Sequence, residues 1–185
     1  MNTLWDYFWP ILGAGLLSGV IAGVVAFRVP RGHSKEDLDG KDAILATWRR
    51  RRILSLAAGV GAALAATALW HGPGGAADRL ATRIERDAEV TLIHYEMAQI
   101  SARLHRGPLT RRLILTGPAD DFQREQLALT METLPGVGSA RWAPASAGMP
   151  LILEGAGAAL LGFLFGLLLA YLAELHRRYN AQWNW

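Results

Sequence analysis

Few residues in this chain combine the type and the spacing that chemistry requires. Glu154 is the one ionisable group inside a long apolar run. A carboxylate at membrane depth points by default to ion pairing or proton movement. It lies one turn after Pro150, near the headgroup layer and the N-terminal end of a helix, where the dipole favours an anion. That position predicts a structural or interfacial role, with pairing to a cation on a partner as the alternative. No second carboxylate or histidine shares its depth, so a proton relay lacks members. The five histidines, His33, His71, His94, His105 and His176, include no pair at metal-ligand spacing such as H-x3-H. Serine and aspartate form no nucleophile elbow or triad, and Gly72-Pro73-Gly74-Gly75 precedes no G-K-[ST] and reads as a linker. The absence of cysteine excludes disulfides, thiolate metal sites and covalent haem attachment. The expectation is a protein with no catalytic, cofactor-binding or metal-binding residues, hence not an enzyme.

The strongest polar feature is Arg49, Arg50, Arg51 and Arg52, four consecutive guanidiniums directly before the apolar run Ile53–Trp70. Arginine keeps its charge in proteins, so the cluster belongs where water and lipid headgroups are. It reads as a topology anchor at one end of a membrane helix, and by the positive-inside bias that end is cytoplasmic. Recruitment of anionic lipid such as cardiolipin is its second reading.

Three apolar runs must position these groups. Of 185 residues 51% are hydrophobic, and they are gathered rather than spread. Phe8–Phe27 is about the length that crosses a hydrocarbon core of roughly 30 Å. Its N-terminal flank has no Lys or Arg, so it reads as a retained span rather than a signal peptide. Trp5, Tyr7 and Trp9 read as an interfacial aromatic belt, and Pro10 as a first-turn proline. Residues 28–52 form a basic loop in which Ser34 could cap a short surface helix. Ile53–Trp70 is the second span, residues 71–149 a domain, 150–174 the third span and 175–185 a tail with His176, Arg177 and Arg178. Ten of the nineteen basic residues fall in the loop and the tail. Both are therefore placed in the cytoplasm, with the N-terminus and the domain outside it. The expected location is a bacterial inner membrane, crossed several times. A net charge of +3 argues against nucleic acid as a partner.

Small residues recur every four positions in the spans. Gly15, Gly19 and Gly23 form one stripe, and Ala158, Gly162, Gly166 and Ala170 another, while the second span adds Ala57, Gly61 and Ala65. Such faces let helix backbones approach closely, which drives association where lipid removes the hydrophobic effect. They predict packing within the chain or against partner subunits.

The domain reads as helix–strand–strand–helix–strand, an α+β layer with one sheet and two helices on one face. Leu80, Ile84 and Asp87 or Ala88 recur at helical spacing, whereas Val90–Tyr95 is rich in strand formers and ambiguous. Ile100, Ala102 and Leu104 alternate with polar residues, Gly107-Pro108 turns the chain, and Arg111–Thr116 pairs back. Asp120 or Asp121 caps a helix with an apolar face of Phe122, Leu127, Leu129, Met131 and Leu134. Pro135-Gly136 stops that helix before a short strand over Val137–Trp142.

Leu113-Ile114-Leu115-Thr116-Gly117, a polar-started helix, and Leu134-Pro135-Gly136-Val137 leading into a strand resemble the BON domain family. The likeness covers roughly Asp78–Trp142, with Pro118 as a departure. It implies a non-catalytic module associated with envelope structures, phospholipid surfaces or protein assembly, and it carries over no active-site residues. More weakly, Pro144-x5-Pro150 followed by a small-residue span and a basic flank resembles the last span of polysaccharide co-polymerases. Taken together, the expectation is an α-helical membrane protein with three transmembrane helices and a small extracytoplasmic α+β domain. It would serve as a non-catalytic accessory or scaffold subunit. Its partners would be membrane lipids, anionic ones among them, and other membrane subunits or a second copy. The alternative is a regulatory, co-polymerase-like component of polysaccharide synthesis or export.

Overall fold

A computed structural model describes residues 3–28, 41–142 and 148–181. In chain order the elements are α1 (Thr3–Phe27), α2 (Lys41–His71), α3 (Ala76–His94), β1 (Ser101–Arg106), β2 (Leu109–Thr116), α4 (Asp121–Glu132), β3 (Ser139–Trp142) and α5 (Leu151–Ala181). Two compact units result, one of Met1–Pro10 with Ala68–Gly155, the other of Ile11–Thr67 with Ala156–Trp185. Three helices, over Leu4–Phe27, Ala46–His71 and Leu151–Ala181, are long and apolar enough to cross a membrane, with mean hydropathies of 2.1, 1.8 and 2.1.

All three helices outrun their apolar runs. α1 begins at Thr3, ahead of Phe8, so Pro10 stands in the helix interior rather than in a first turn. Helix-breaking proline is tolerated in such segments when neighbours re-satisfy the freed backbone groups. Residues 41–52 belong to α2 and not to a loop, so the four arginines ride on helix. α5 continues through His176, Arg177 and Arg178 to Ala181, where a separate tail was expected. Hydropathy marks where a segment could leave lipid, not where its backbone stops being helical, and arginine is a good helix former. The proposed cap at Ser34 lies outside the described residues, as do Pro144 and the end of the tail.

In the α+β unit, β2 is the central strand of the order β1-β2-β3. β1 runs antiparallel to it, pairing Ser101 with Thr116 and Leu104 with Leu113. β3 runs parallel, pairing Leu113 with Ala140 and Leu115 with Trp142. Parallel neighbours need a crossover, and α4 supplies it. The registers put Leu104, Leu113, Leu115 and Ala140 on one buried face, while Arg103, Ile114 and Arg141 share the other. The helices bring Leu80, Ile84, Ala88 and Leu92 of α3 and Leu127 and Met131 of α4 into the same core. Val90–Tyr95 is largely helix, because Leu92 falls one turn after Ala88 and is buried with it. The α4 face is narrower than its sequence suggests: Phe122 is 72% exposed and Leu129 is also exposed. Asp120 is the N-cap, accepting from the Gln123 amide at 2.7 Å while the Gln123 side chain accepts from the Asp120 amide at 3.2 Å.

Two turns require glycine. Gly117, with φ 143°, ends β2 where a Cβ would stand 2.8 Å from the Gln99 carbonyl oxygen. Gly136, with φ 98°, follows α4 where a Cβ would stand 2.7 Å from Ile84 Cδ1. Both are backbone conformations that residues with a Cβ rarely adopt.

In the helical unit, α1 and α5 approach backbone to backbone. A Cβ on Gly15 would overlap the Ala159 carbonyl, and one on Gly19 the Phe163 carbonyl. Reciprocally, a Cβ on Gly162 would overlap the Leu12 carbonyl, and one on Gly166 the Leu16 carbonyl. Gly23 faces Ala170. The stripe by which α2 joins them is not Ala57, Gly61 and Ala65, which are exposed, but Gly59, Ala63 and Thr67. Gly59 lies against Ala22, Phe163 and the Ser18 carbonyl. Both α2 stripes repeat every four residues, and only the facing helices decide between them. The outer surface of this unit is apolar, with Leu17, Ile21, Leu161, Leu164 and Phe165 exposed.

Candidate functional site

Polar side chains in the α+β unit gather around the first turns of α1. Asp6 accepts from Arg83 Nη1 at 2.7 Å. The Tyr7 hydroxyl shares a 2.7 Å hydrogen bond with His71 Nδ1. Trp70 Nε1 donates to the Tyr7 carbonyl at 3.1 Å, and the Arg79 guanidinium lies 5.4 Å from the Trp70 ring centroid. Tyr7 is thereby only 2% exposed, so it departs from the expected aromatic belt, whereas Trp5 and Trp9 remain exposed. Asp6, Arg79 and Arg83 line a small cleft of about 40 Å³ with Tyr7 and Trp70. Asp6, Tyr7 and Trp70 find polar partners inside the cluster, Arg79 lies over the Trp70 ring, and the cleft has room for no more than a few waters. The arrangement ties the first turns of α1 to the end of α2 and to α3.

Glu154 is also satisfied within the chain. Its carboxylate takes the Arg111 guanidinium of β2, Nε to Oε2 at 2.9 Å and to Oε1 at 3.3 Å. Both side chains are about three-quarters covered, at 28% and 22% exposure. The cation that Glu154 needs is supplied by this chain's own sheet, and no partner subunit is required for it. The sequence separation of the pair hides this contact from any local reading.

A wide groove of about 760 Å³ opens along α3 and the edge strand β1, walled by Glu85, Arg86, Glu89, Ile93, Ser101 and Arg103 among others. Glu85 closes one end of the strand edge. It accepts from the Leu104 amide at 3.0 Å and from Arg106 Nη2 at 2.7 Å. The hydrogen bond that Arg106 donates to Glu85 raises the already high pKa of the guanidinium.

The four arginines do not act as one. Arg49, Arg50 and Arg51 are exposed on α2. Arg52 is exposed too, but it alone of the four lies over aromatic rings among the described contacts, its Cζ 5.5 Å from the Phe27 ring centroid and 5.6 Å from that of Trp48. Beside it Glu174, which the sequence reading did not single out, binds Arg177 at 2.8 Å and Arg178 at 2.9 Å. The i, i+3 and i, i+4 spacing of these three residues was legible once α5 is taken to continue past its apolar run.

Among the described residues, no three His, Cys, Asp or Glu come together in a way that could hold a metal ion. His105 lies 3.0 Å from the Pro108 carbonyl and His176 3.0 Å from Asn180, both as exposed contacts, while His94 stacks edge-on to Tyr95. His33 lies outside the described residues. No protein-family model matches the chain, and no curated protein or solved structure shows significant similarity to it.

Proposed function

We propose that the protein is a non-catalytic, three-span subunit of the bacterial inner membrane that supports assembly or stability of a larger complex. The observation that carries the membrane reading is the inverted surface of the helical unit. Its close helix contacts are made largely by glycine and alanine, with Ile11 and Phe163 buried beside them, while many leucines, isoleucines and phenylalanines point outward, Leu161 at 68% and Ile21 at 66% exposure. In water such a continuous apolar face would drive aggregation; in lipid it is the expected outer surface, and small-residue packing is the expected adhesive. The positive flanks Arg49–Arg52 and Arg177-Arg178 favour a cytoplasmic location for those ends, with residues 72–149 outside.

What supports a BON-like reading of the α+β unit is its order helix–strand–strand–helix–strand, with Gly117 and Gly136 at positive φ. Its proposed role is contact with a partner outside the cytoplasm. Its polar groups pair among themselves, which favours adhesion over catalysis. The test has two parts. Alkaline carbonate should leave the full chain in the membrane pellet, and a topology reporter fused at residue 105 should be active only outside the cytoplasm. Release into the carbonate wash, or a cytoplasmic reporter, would refute the proposed insertion. Solubilisation in mild detergent should then retain a stoichiometric partner. A lone monomer would remove the scaffold reading.

A further inference from the structure

Of the four consecutive arginines, Arg52 lines a groove among the described residues. A groove of about 440 Å³ is lined by Phe27, Trp48, Arg52, Tyr171, Glu174 and Arg178, with Leu175 completing it. The walls are aromatic: Phe27 and Tyr171 meet edge to face at 5.9 Å, and Arg52 lies against the rings of Phe27 and Trp48. The charges inside do not balance. Glu174 is the groove's one carboxylate, and Arg177 and Arg178 already occupy both its oxygens at 2.8 to 2.9 Å. Arg178 also donates to the Phe27 carbonyl at 3.3 Å, which fixes its head at the rim. Arg52 has no carboxylate within ion-pair distance among the described residues. Held against two rings, it loses little freedom when it takes an anion, and a guanidinium grips phosphate through two parallel N–H bonds.

We infer that this groove binds the headgroup phosphate of an anionic phospholipid through Arg52, with an acyl chain lying along Phe27, Tyr171 and Leu175. The inference rests on the membrane reading, which the carbonate extraction tests separately. The occupant follows from the pairing of chemistries: a cation with no carboxylate partner among the described residues for a phosphodiester, set beside exposed Tyr171 and Leu175 side chains for hydrocarbon. A free anion would use the first and leave the second bare. A peptide would need backbone donors and acceptors, and the walls of the groove are side chains of α1, α2 and α5.

Native mass spectrometry of the full chain in mild detergent, titrated with phosphatidylglycerol or phosphatidylcholine, tests this. Phosphatidylglycerol should bind at least tenfold more tightly than phosphatidylcholine. Arg52→Gln should abolish that preference, whereas Arg50→Gln, which removes the same charge from a position that does not line the groove, should change it less than twofold. Trp48→Leu, which keeps every charge, should weaken binding several-fold. Equal losses in the two arginine variants would overturn the site in favour of diffuse surface charge. Equal retention of the two lipids, or displacement of phosphatidylglycerol by millimolar inorganic phosphate, would overturn the lipid assignment. A chain that stays in the carbonate pellet yet fails the lipid test loses this inference alone.

Discussion

Adding a single methyl group at Gly19 tests whether α1 and α5 meet as described. Its Cβ would enter the space of the Phe163 carbonyl, and the reciprocal positions Gly162 and Gly166 face the Leu12 and Leu16 carbonyls. These neighbours are backbone, so no rotamer change relieves the overlap, and the helices must separate or slide. Gly13, Gly61 and Gly157 are helical glycines where an added Cβ meets nothing within 4 Å. They provide the reference, since alanine there gains helix propensity of up to about 1 kcal/mol without a clash. Overpacking costs about 1–3 kcal/mol. Gly19→Ala should therefore fall below Gly61→Ala by about that amount, roughly a 5- to 150-fold change in the folded-to-unfolded ratio. The doubly substituted Gly15→Ala/Gly19→Ala chain should lose less than the sum of the two, because one displacement of α5 relieves both overlaps. Circular dichroism of the full chain through a titration of dodecyl maltoside micelles with SDS gives the comparison. If Gly19→Ala unfolds at the same SDS fraction as Gly61→Ala, the backbone contact is absent and the small-residue stripes serve some other surface.

Two further outcomes concern the α+β unit. Glu154→Gln should destabilise the full chain by about 1–3 kcal/mol in thermal unfolding, since it leaves the three-quarters-covered Arg111 guanidinium with a weaker acceptor. A double-mutant cycle with Arg111→Gln should return a coupling of about 0.5–2 kcal/mol, and a coupling of zero would show that the pair does not form. Asp120→Ala removes the N-cap acceptor of the Gln123 amide and should cost about 0.5–2 kcal/mol. Hydrogen exchange at the Gln123 amide should quicken relative to the middle of α4, and unchanged protection there would contradict the cap.

Much of the architecture could be read from local pattern. The three apolar runs, the glycine stops at Gly117 and Gly136 and the alternation over Ile100–Leu104 each follow from a period or a backbone requirement acting over a few residues. What the sequence determined alone was therefore the number and order of elements, and the α+β character of the region between the second and third apolar runs. Of the four-residue stripes, Gly15, Gly19, Gly23, Gly162, Gly166 and Ala170 lie at close helix contacts, but Ala159 rather than Ala158 meets Gly15. Tertiary structure decided the rest. Gly59, Ala63 and Thr67 rather than Ala57, Gly61 and Ala65 became the buried stripe of α2 because Ala22 and Phe163 lie opposite the first set. Val90–Tyr95 became largely helix because burying Leu92 beside Ala88 outweighed its strand-forming residues. Glu154 found Arg111, and Arg52 found Phe27, across separations that no sequence window spans. Periodicity tells a helix which faces it could bury, but only the facing backbone selects one. In the same way a charge announces a need for a partner, and only the fold brings that partner within 3 Å.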